Sequence, residues 1–546
     1  MKQSTDELFK KLTFGIKKSQ LWQRNDKTDH RLLLRRVLPN DRKEEYKRNK
    51  KRGNETSSSL VTSEQEPEIL EGLESVSKKK EKNRSLAVKR EQIAHLRKLN
   101  RIFVWGDNIP DPLIHFTEID GLPQELVSNL REFGVMEPTP IQMQAIPVMM
   151  QKRDLLCSAP TGSGKTLAFA VPIVFDVIFC KSHVAEGQYP ILNAIVLEPT
   201  HELAKQTYVQ FLKISQNLPV SCSFLEKDEI PMNTNIVIST PNKLIYALKK
   251  NKEILSDGLN WLVIDESDRL FDNTEGDNKC FRNQLAKIYE MCSGNFVRRA
   301  FFSATFSYEV EDWCRRNLYD MVTICIGTRN SAVNSVKQEL IFAGSEHGKI
   351  IGLKALFQNS FELPALVFVQ SKLRARQLVS IIESFQPPIP VKMISSEKAE
   401  VERESAIAEF RSGQIWLLVC TDLIGRGLDL SGINLVVNFD LPTSIISYIH
   451  RIGRTGRAGR QGHAVTYFTE NDLNFIRPIA TVIKQAGFEV PEYTLRLRKP
   501  TKIEKKKLLR HAPNRKNIGF IKQADEKRMK DKKKARREKK VVLRKD

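Results

Sequence analysis

Asp154 to Thr166 reads DLLCSAPTGSGKT. The apolar run Asp154 to Ser158 passes directly into a loop of small residues, Ala159, Pro160, Thr161, Gly162, Ser163 and Gly164. Lys165 and Thr166 close the loop, and the helix-forming LAFAVPIVFDVI follows. A short strand, a glycine-rich turn and a helix in that order is the context of a phosphate loop. Small residues let backbone N–H groups converge on phosphate oxygens, and the helix start adds its dipole. Lys165 is then placed for the β and γ phosphates and Thr166 for a magnesium ion. A glycine turn that merely caps a helix is the competing reading.

Downstream, the apolar run WLVI ends in Asp265-Glu266-Ser267-Asp268. Ligands of open α/β sheets gather at the carboxyl ends of strands, so this acidic loop is the expected partner of the phosphate loop. Asp265 is placed to hold magnesium, and Glu266 to orient and deprotonate an attacking water. A helix N-cap is the alternative use of such a loop.

From Phe116 onward, apolar and β-branched runs alternate with amphipathic stretches. DLLCSA, NAIVLEP, NIVIST, WLVIDES and RRAFFSAT form one block; ALVFVQS, VKMIS, IWLLVCTD, NLVVNFD and HAVTYF form a second. Continuous apolar runs separated by helical patterns predict parallel strands buried on both faces. The fold class is therefore α/β, with two tandem doubly wound parallel-sheet domains. The expected organisation is an N-terminal extension over 1–101, a first domain over 102–326, a linker over 327–336, a second domain over 337–492 and a C-terminal tail over 493–546. Within the extension, only Asp6 to Ile16 and a basic stretch, Leu86 to Leu99, have a helical pattern.

The charge of +23 is unevenly distributed. Residues 1–101 hold 27 Lys+Arg against 15 Asp+Glu, and residues 496–546 hold 23 against 6, so the remaining 38 basic and 44 acidic residues leave the middle at −6. Basic, largely disordered arms on an acidic core predict long-range attraction to a polyanion that weakens with salt. For any single run such as Lys78 to Lys80, a solvated tail is an equal reading. The eight cysteines show no metal-binding spacing, no apolar run reaches membrane-spanning length, and the N-terminus lacks a secretory apolar segment. A soluble intracellular protein with reduced thiols is expected.

Tyr448 to Arg460 reads YIHRIGRTGRAGR, with Arg454 lying 454 − 165 = 289 residues beyond Lys165. That separation exceeds one typical domain, so two domains must close if both sites serve one nucleotide.

Taken with these motifs, the chain resembles a DEAD-box ATP-dependent RNA helicase of superfamily two over about residues 102–492. GVMEPTPIQ with Gln142 resembles the adenine-reading Q motif, and Phe116 its upstream aromatic. Ser303-Ala304-Thr305 resembles the element that couples hydrolysis to unwinding. Arg403 resembles a second-domain RNA contact, TDLIGRGLD from Thr421 to Asp429 the RNA and ribose contacts, and HRIGRTGR the arginine-finger motif.

The resemblance implies two RecA-like domains, ATP and Mg2+ as cofactors, Gln142 as adenine selector and Asp429 at the ribose. It implies Arg454 and Arg457 as fingers that neutralise the transferring phosphoryl group. RNA contacts would come from Pro199, Thr200, Thr240, Pro241, Arg403, Thr421, Asp422, Arg426 and Gly427. Because the fingers reach phosphate only on closure, ATP and RNA should each tighten the other's binding.

Several positions depart from the pattern. Val135 replaces the Q-motif Phe, which either weakens the aromatic packing at adenine or leaves it to Phe133 and Phe116. His201 stands where the family has Arg, Ser223 to Asn235 lacks the usual Gly-Gly, and Gly425 replaces an Ala. A mostly neutral histidine in place of a charged fork should weaken the RNA grip on the first domain unless the basic tails compensate.

DESDRLF, TPNKLIYAL, EVEDWCRRNL, GTRNSAV, ELFKKLTFG and VPEYTL further resemble the nucleolar helicases that assist small-subunit ribosome assembly. An RNA-stimulated ATPase acting on pre-ribosomal RNA beside pre-ribosomal proteins, with a monomeric core, in the nucleus and nucleolus and away from membranes, is the expectation. An ATP-gated RNA clamp with little unwinding and a DNA helicase are the competing readings.

Overall fold

In the computed structural model, the described residues are 87–183, 192–227, 229–231, 233–250, 259–268, 281–292, 297–305, 308–327, 335–359, 362–395, 400–421, 432–456 and 460–501, together with Glu504, Leu508, Pro513, Arg515 and Ile518. Asp6 to Ile16, Asp422, Gly425, Arg426, Gly427, Asp429, Arg457 and most of the expected linker lie outside them. Residues 87–99 are helical, close to the expected basic helix.

Residues 97–546 belong to one unit that holds two sheets. The first has strands β1 (Ile102–Trp105), β2 (Leu155–Ser158), β3 (Ala194–Leu197), β4 (Cys222–Phe224), β5 (Ile236–Ser239), β6 (Trp261–Ile264), β7 (Arg298–Ser303) and β8 (Val322–Ile326), in the order β1-β8-β2-β7-β6-β3-β5-β4. Only β1 is antiparallel, against β8; the other pairings are parallel. The second contains β9 (Val336–Gly344), β10 (Ala365–Phe368), β11 (Val391–Ile394), β12 (Leu417–Cys420), β13 (Leu435–Asn438) and β14 (Gly462–Thr469), all parallel, in the order β11-β12-β10-β13-β14-β9.

Helices on both faces explain the unbroken apolar runs. In the second sheet, Leu366, Phe368, Leu418, Cys420 and Val436 join one core cluster, while the alternate residues Ala365, Val367, Leu417, Val419 and Val437 join the other. A strand whose two faces both enter cores cannot alternate with polar residues. Each fully buried Leu, Val or Phe among them contributes about 1.5–3 kcal/mol of transfer free energy.

The strands that the apolar runs did not signal are β1, β4, β8 and β9. β9 lies at a sheet edge and alternates buried with exposed residues, Val336 being buried and Lys337 exposed. β4 is short and only half-buried.

Caps set where several helices begin. Pro140 occupies the first turn of the helix Pro140–Met150, behind a capping box formed by Thr139 and Gln142. Thr200, Ser371 and Ser444 accept backbone N–H bonds at the starts of the helices His201–Ile214, Lys372–Glu383 and Ile445–Ile452. Among the described residues, no helix is long and apolar enough to cross a membrane.

Candidate nucleotide and interdomain site

Parallel register brings four strand ends of the first sheet to one edge. Ser158 pairs with Ser303, Leu197 with Ile264, and Ile264 with Phe301. The segments 159–166, 265–268, 303–305 and 198–201 therefore converge, although 145 residues separate Ser158 from Ser303 (303 − 158).

In the loop after β2, Gly162 and Gly164 adopt positive φ of 78° and 88°. A Cβ at Gly164 would come 2.5 Å from Gln142 Nε2, so this position needs glycine for both its backbone and its space. Gln142 is buried. Its Oε1 accepts from the Thr139 amide at 2.9 Å and its Nε2 donates to Gly164 O at 3.0 Å. The Q-motif glutamine thus ties the neighbouring helix to the phosphate loop. Lys165 Nζ donates to Ala159 O at 2.9 Å and Pro160 O at 3.3 Å, held on the loop's carbonyl groups. Thr161, Ser163 and Thr166 are half-buried and Gly162 is exposed.

Asp265 accepts the Glu266 amide at 2.8 Å, and Glu266 has a φ of 46°. That left-handed geometry is uncommon for a non-glycine residue and concentrates at functional sites. Burial, then Glu266, pushes the Asp265 carboxyl up to about 7 against the pull of Lys165. Glu198, at the end of β3, is completely buried, accepts from the Thr207 hydroxyl at 2.7 Å and is raised well above the usual range, by burial first and by Asp265 next. Crowded, desolvated carboxyl groups beside a lysine favour a cation among them. The donor set of Asp265 and Thr166 fits magnesium on that chemistry.

Ser303 and Thr305 are fully buried, and Ser303 Oγ accepts from the Thr305 amide at 3.2 Å. Thr305 Oγ1 donates to Asp268 Oδ2 at 3.2 Å. The same carboxylate oxygen lies 2.9 Å from His450 Nε2, on a helix of the second sheet, and His450 Nδ1 lies 3.6 Å from Glu266 Oε2. Gly453 follows closely: a Cβ there would lie 2.2 Å from Thr161 Oγ1 of the phosphate loop. Arg454 is buried, its Nε donating to His450 O at 3.2 Å. The second sheet's arginine segment therefore seats directly on the first sheet's acidic and phosphate loops.

A second bridge joins the helix His201–Ile214 to the helix Glu400–Arg411. Arg403 Nη2 pairs with Glu202 Oε1 at 2.8 Å, and Lys205 Nζ with Glu404 Oε1 at 2.6 Å. Arg403, expected at RNA, here engages a carboxylate across the interface.

Other expected residues are distributed around this edge. Pro199, Thr200 and Thr240 are half-buried, Pro241 and Thr421 buried. Thr200 Oγ1 caps its helix through the Leu203 amide at 3.3 Å. His201 packs against Phe224, with ring centroids 4.7 Å apart. Phe116 is a core residue, 4% exposed, and Phe133 lies under Lys213 Nζ with Val135 packed on the same core. Both rings thus pack on the core of the first domain.

Asp268, His450, Gly453 and Glu198 were not singled out in the sequence. The first three stand inside the quoted segments DESD and HRIG, so the signal was present but the cross-sheet pairing was not. Glu198 stands at the end of the quoted run NAIVLEP, where only its strand was read.

Residues 139–313 match the DEAD/DEAH box helicase family and residues 348–459 the helicase conserved C-terminal domain. The chain is 40% identical over 501 residues to a probable ATP-dependent RNA helicase, DDX52, of Bos taurus, spanning 86% of this chain and 82% of that protein. It is 37% identical over 434 residues to the ATP-dependent RNA helicase ROK1 of Eremothecium gossypii, spanning 76% and 74% of the two chains. Among solved structures, Mss116p bound to ssRNA and AMP-PNP matches with a TM-score of 0.58 and 25% identity over 68% of this chain and 78% of that one. S. cerevisiae Dbp5 bound to RNA and ADP BeF3 shares the fold, with a TM-score of 0.59 and 24% identity over 73% of this chain and all of that one. The chain belongs to the DEAD-box ATP-dependent RNA helicases. It is an ATP-binding, RNA-stimulated ATPase with two RecA-like parallel-sheet domains.

Proposed function

We propose that this enzyme clamps and locally opens pre-ribosomal RNA during small-subunit assembly, beside pre-ribosomal proteins in the nucleolus. The observation that carries the coupling is the carboxylate of Asp268, shared by Thr305 Oγ1 at 3.2 Å and His450 Nε2 at 2.9 Å. One side chain thus reads whether the two domains have met. The bound RNA in the solved relatives supports RNA as the second ligand, and the short motifs DESDRLF and VPEYTL support the ribosomal branch.

In this reading the phosphate loop from Ala159 to Thr166 cradles the phosphates and Lys165 leaves its carbonyl partners for them. Asp265 and Thr166 would hold magnesium, which supplies positive charge beside the phosphates when bound. Glu266, fixed by its left-handed backbone, takes a proton from water. Arg454 and Arg457 would offset charge on the transferring group, and Gln142 and Asp429 would bind adenine and ribose. RNA contacts are assigned to Pro199, Thr200, Thr240, Pro241, Arg403, Thr421, Asp422, Arg426 and Gly427.

Steady-state hydrolysis with and without single-stranded RNA, beside Glu266→Gln, tests the ATPase part. RNA-stimulated turnover that the amide variant abolishes while still binding both ligands is expected. Crosslinking in cells to pre-ribosomal RNA tests the finer part; crosslinks confined to other RNAs would overturn it. His201 and the missing Gly-Gly leave room for a clamp with little unwinding, and tight RNA binding without duplex opening would establish that reading.

A further inference from the structure

Past the second sheet, the chain returns to it. Leu508 and Ile518 are buried, and Ile518 joins the core cluster that contains Val367, Val419 and Val437. Its amide donates to Gln377 Oε1 at 3.2 Å, and Gln370 Nε2 donates to Pro513 O at 2.7 Å. These anchors deliver Arg515, whose side chain is 1% exposed, into the domain.

Arg515 holds Asp472 with two bonds, Nη2 to Oδ1 at 2.6 Å and Nη1 to Oδ2 at 3.1 Å, and donates from Nε to Gln370 Oε1 at 2.7 Å. Its Nε also lies 3.7 Å from Asp440 Oδ1 and its Nη1 3.9 Å from Glu346 Oε1. Asp440 is fully buried and accepts from Arg374 Nε at 2.7 Å and Nη2 at 2.6 Å, with Lys349 Nζ at 3.2 Å. Three acids, Glu346, Asp440 and Asp472, thus face three bases, Lys349, Arg374 and Arg515. Removing Arg515 leaves one buried negative charge without a counterion, in a setting where water cannot compensate.

The cluster adjoins the arginine segment. Arg451 Nη1 donates to the Asp440 main-chain O at 2.7 Å and to Asn438 Oδ1 at 3.2 Å. Arg451 lies on the helix Ile445–Ile452 next to His450 and three residues before Arg454. We propose that Arg515 is a positioning residue for ATP hydrolysis. By completing the ion cluster around Asp440 it sets the helix that presents His450 and Arg454 to the first domain. The inference rests on the coupling role assigned to that helix above. A fork of planar donors suits the paired bonds to Asp472 in a way that a lysine's single ammonium does not.

The test uses the full chain and Arg515→Ala, Arg515→Lys and Ile518→Ala, each assayed well below its own melting temperature. The expected result for Arg515→Ala is a kcat at saturating RNA reduced about tenfold to 10²-fold, the upper figure being that of an ångström-scale misplacement of catalytic groups. ATP affinity without RNA should stay within about twofold, since the phosphate loop is on the other domain. Arg515→Lys should recover part of the loss. A lowered melting temperature with unchanged kcat would reduce Arg515 to a structural staple and overturn the proposal. Should Arg515→Ala fail to fold, Ile518→Ala loosens the same segment without stranding a charge. Faster hydrogen exchange in residues 445–452 with reduced kcat supports the proposal, and unchanged kcat despite faster exchange overturns it. Absence of RNA stimulation in the unaltered chain would instead remove the coupling reading itself.

Discussion

His450 and Asp268, 182 residues apart in sequence (450 − 268), meet with Nε2 2.9 Å from Oδ2. Because Asp268 accepts from Thr305 Oγ1 at 3.2 Å, this approach links the second sheet to the segment that follows β7. Neither side chain touches solvent appreciably. A contact of this kind forms only when the domains are together, which makes it a reporter of closure.

Replacing His450 by Ala should lower RNA-stimulated kcat about 10²-fold, a typical effect for a buried polar group at a reacting site. ATP affinity in the absence of RNA should change little. Single-turnover hydrolysis beside equilibrium nucleotide binding checks this, and an equal loss in both would place His450 in binding instead.

Gly453→Ala should block the approach of the domains, because its methyl group would sit 2.2 Å from Thr161 Oγ1. Each domain should still fold. Thr161→Ala removes that oxygen but leaves Thr161's Cβ position, 3.4 Å away, so the double variant should regain part of the RNA-stimulated rate. No recovery would show that the Ile449 carbonyl, at 3.1 Å, sets the limit.

The Lys205–Glu404 pair is half-exposed on both sides, so its contribution is small, about 0.2–1 kcal/mol. Lys205→Glu should weaken ATP-dependent RNA binding roughly twofold to fivefold, more at low salt than at high. Adding Glu404→Lys should restore it. Binding isotherms at two ionic strengths decide the matter.

Acid should destabilise the second domain through Asp440. Burial raises its pKa, but the Arg374 hydrogen bonds and the charges of Lys349, Arg374 and Arg515 override that and hold the carboxyl far below its usual range. A depressed carboxylate pKa gives stability that is fully present above the unfolded value of about 3.9 and is lost as pH falls below it. Denaturant midpoints should be level between pH 6 and about pH 5 as far as Asp440 is concerned, then fall between about pH 5 and pH 2, steeply for the unaltered chain and less steeply for Asp440→Asn. The variant should also start about 3–5 kcal/mol less stable, since it leaves buried bases without their partner.

Much of this was legible in the residues. Apolar runs without polar alternation announced parallel, doubly covered strands, and the glycine loop and acidic loop each stood directly behind one of them. Local chemistry sufficed there, because strand burial, loop backbone freedom and helix starts depend on neighbours within a few positions. The edge strand β9 escaped because a strand with one half-exposed face has no unbroken apolar run.

What only the tertiary structure decided is which of these groups meet. The periodicity after Pro491 fades, yet Arg515 and Ile518 are buried in the second domain, since single anchors carry no repeat. Gln142 bonds Gly164 O, Arg403 faces Glu202, and Asp268 meets His450. The sequence by itself determined the two sheets and the types of group at their edges. Pairing across hundreds of residues depends on how two cores stack and how closely their loops approach, and no spacing within one chain encodes that distance.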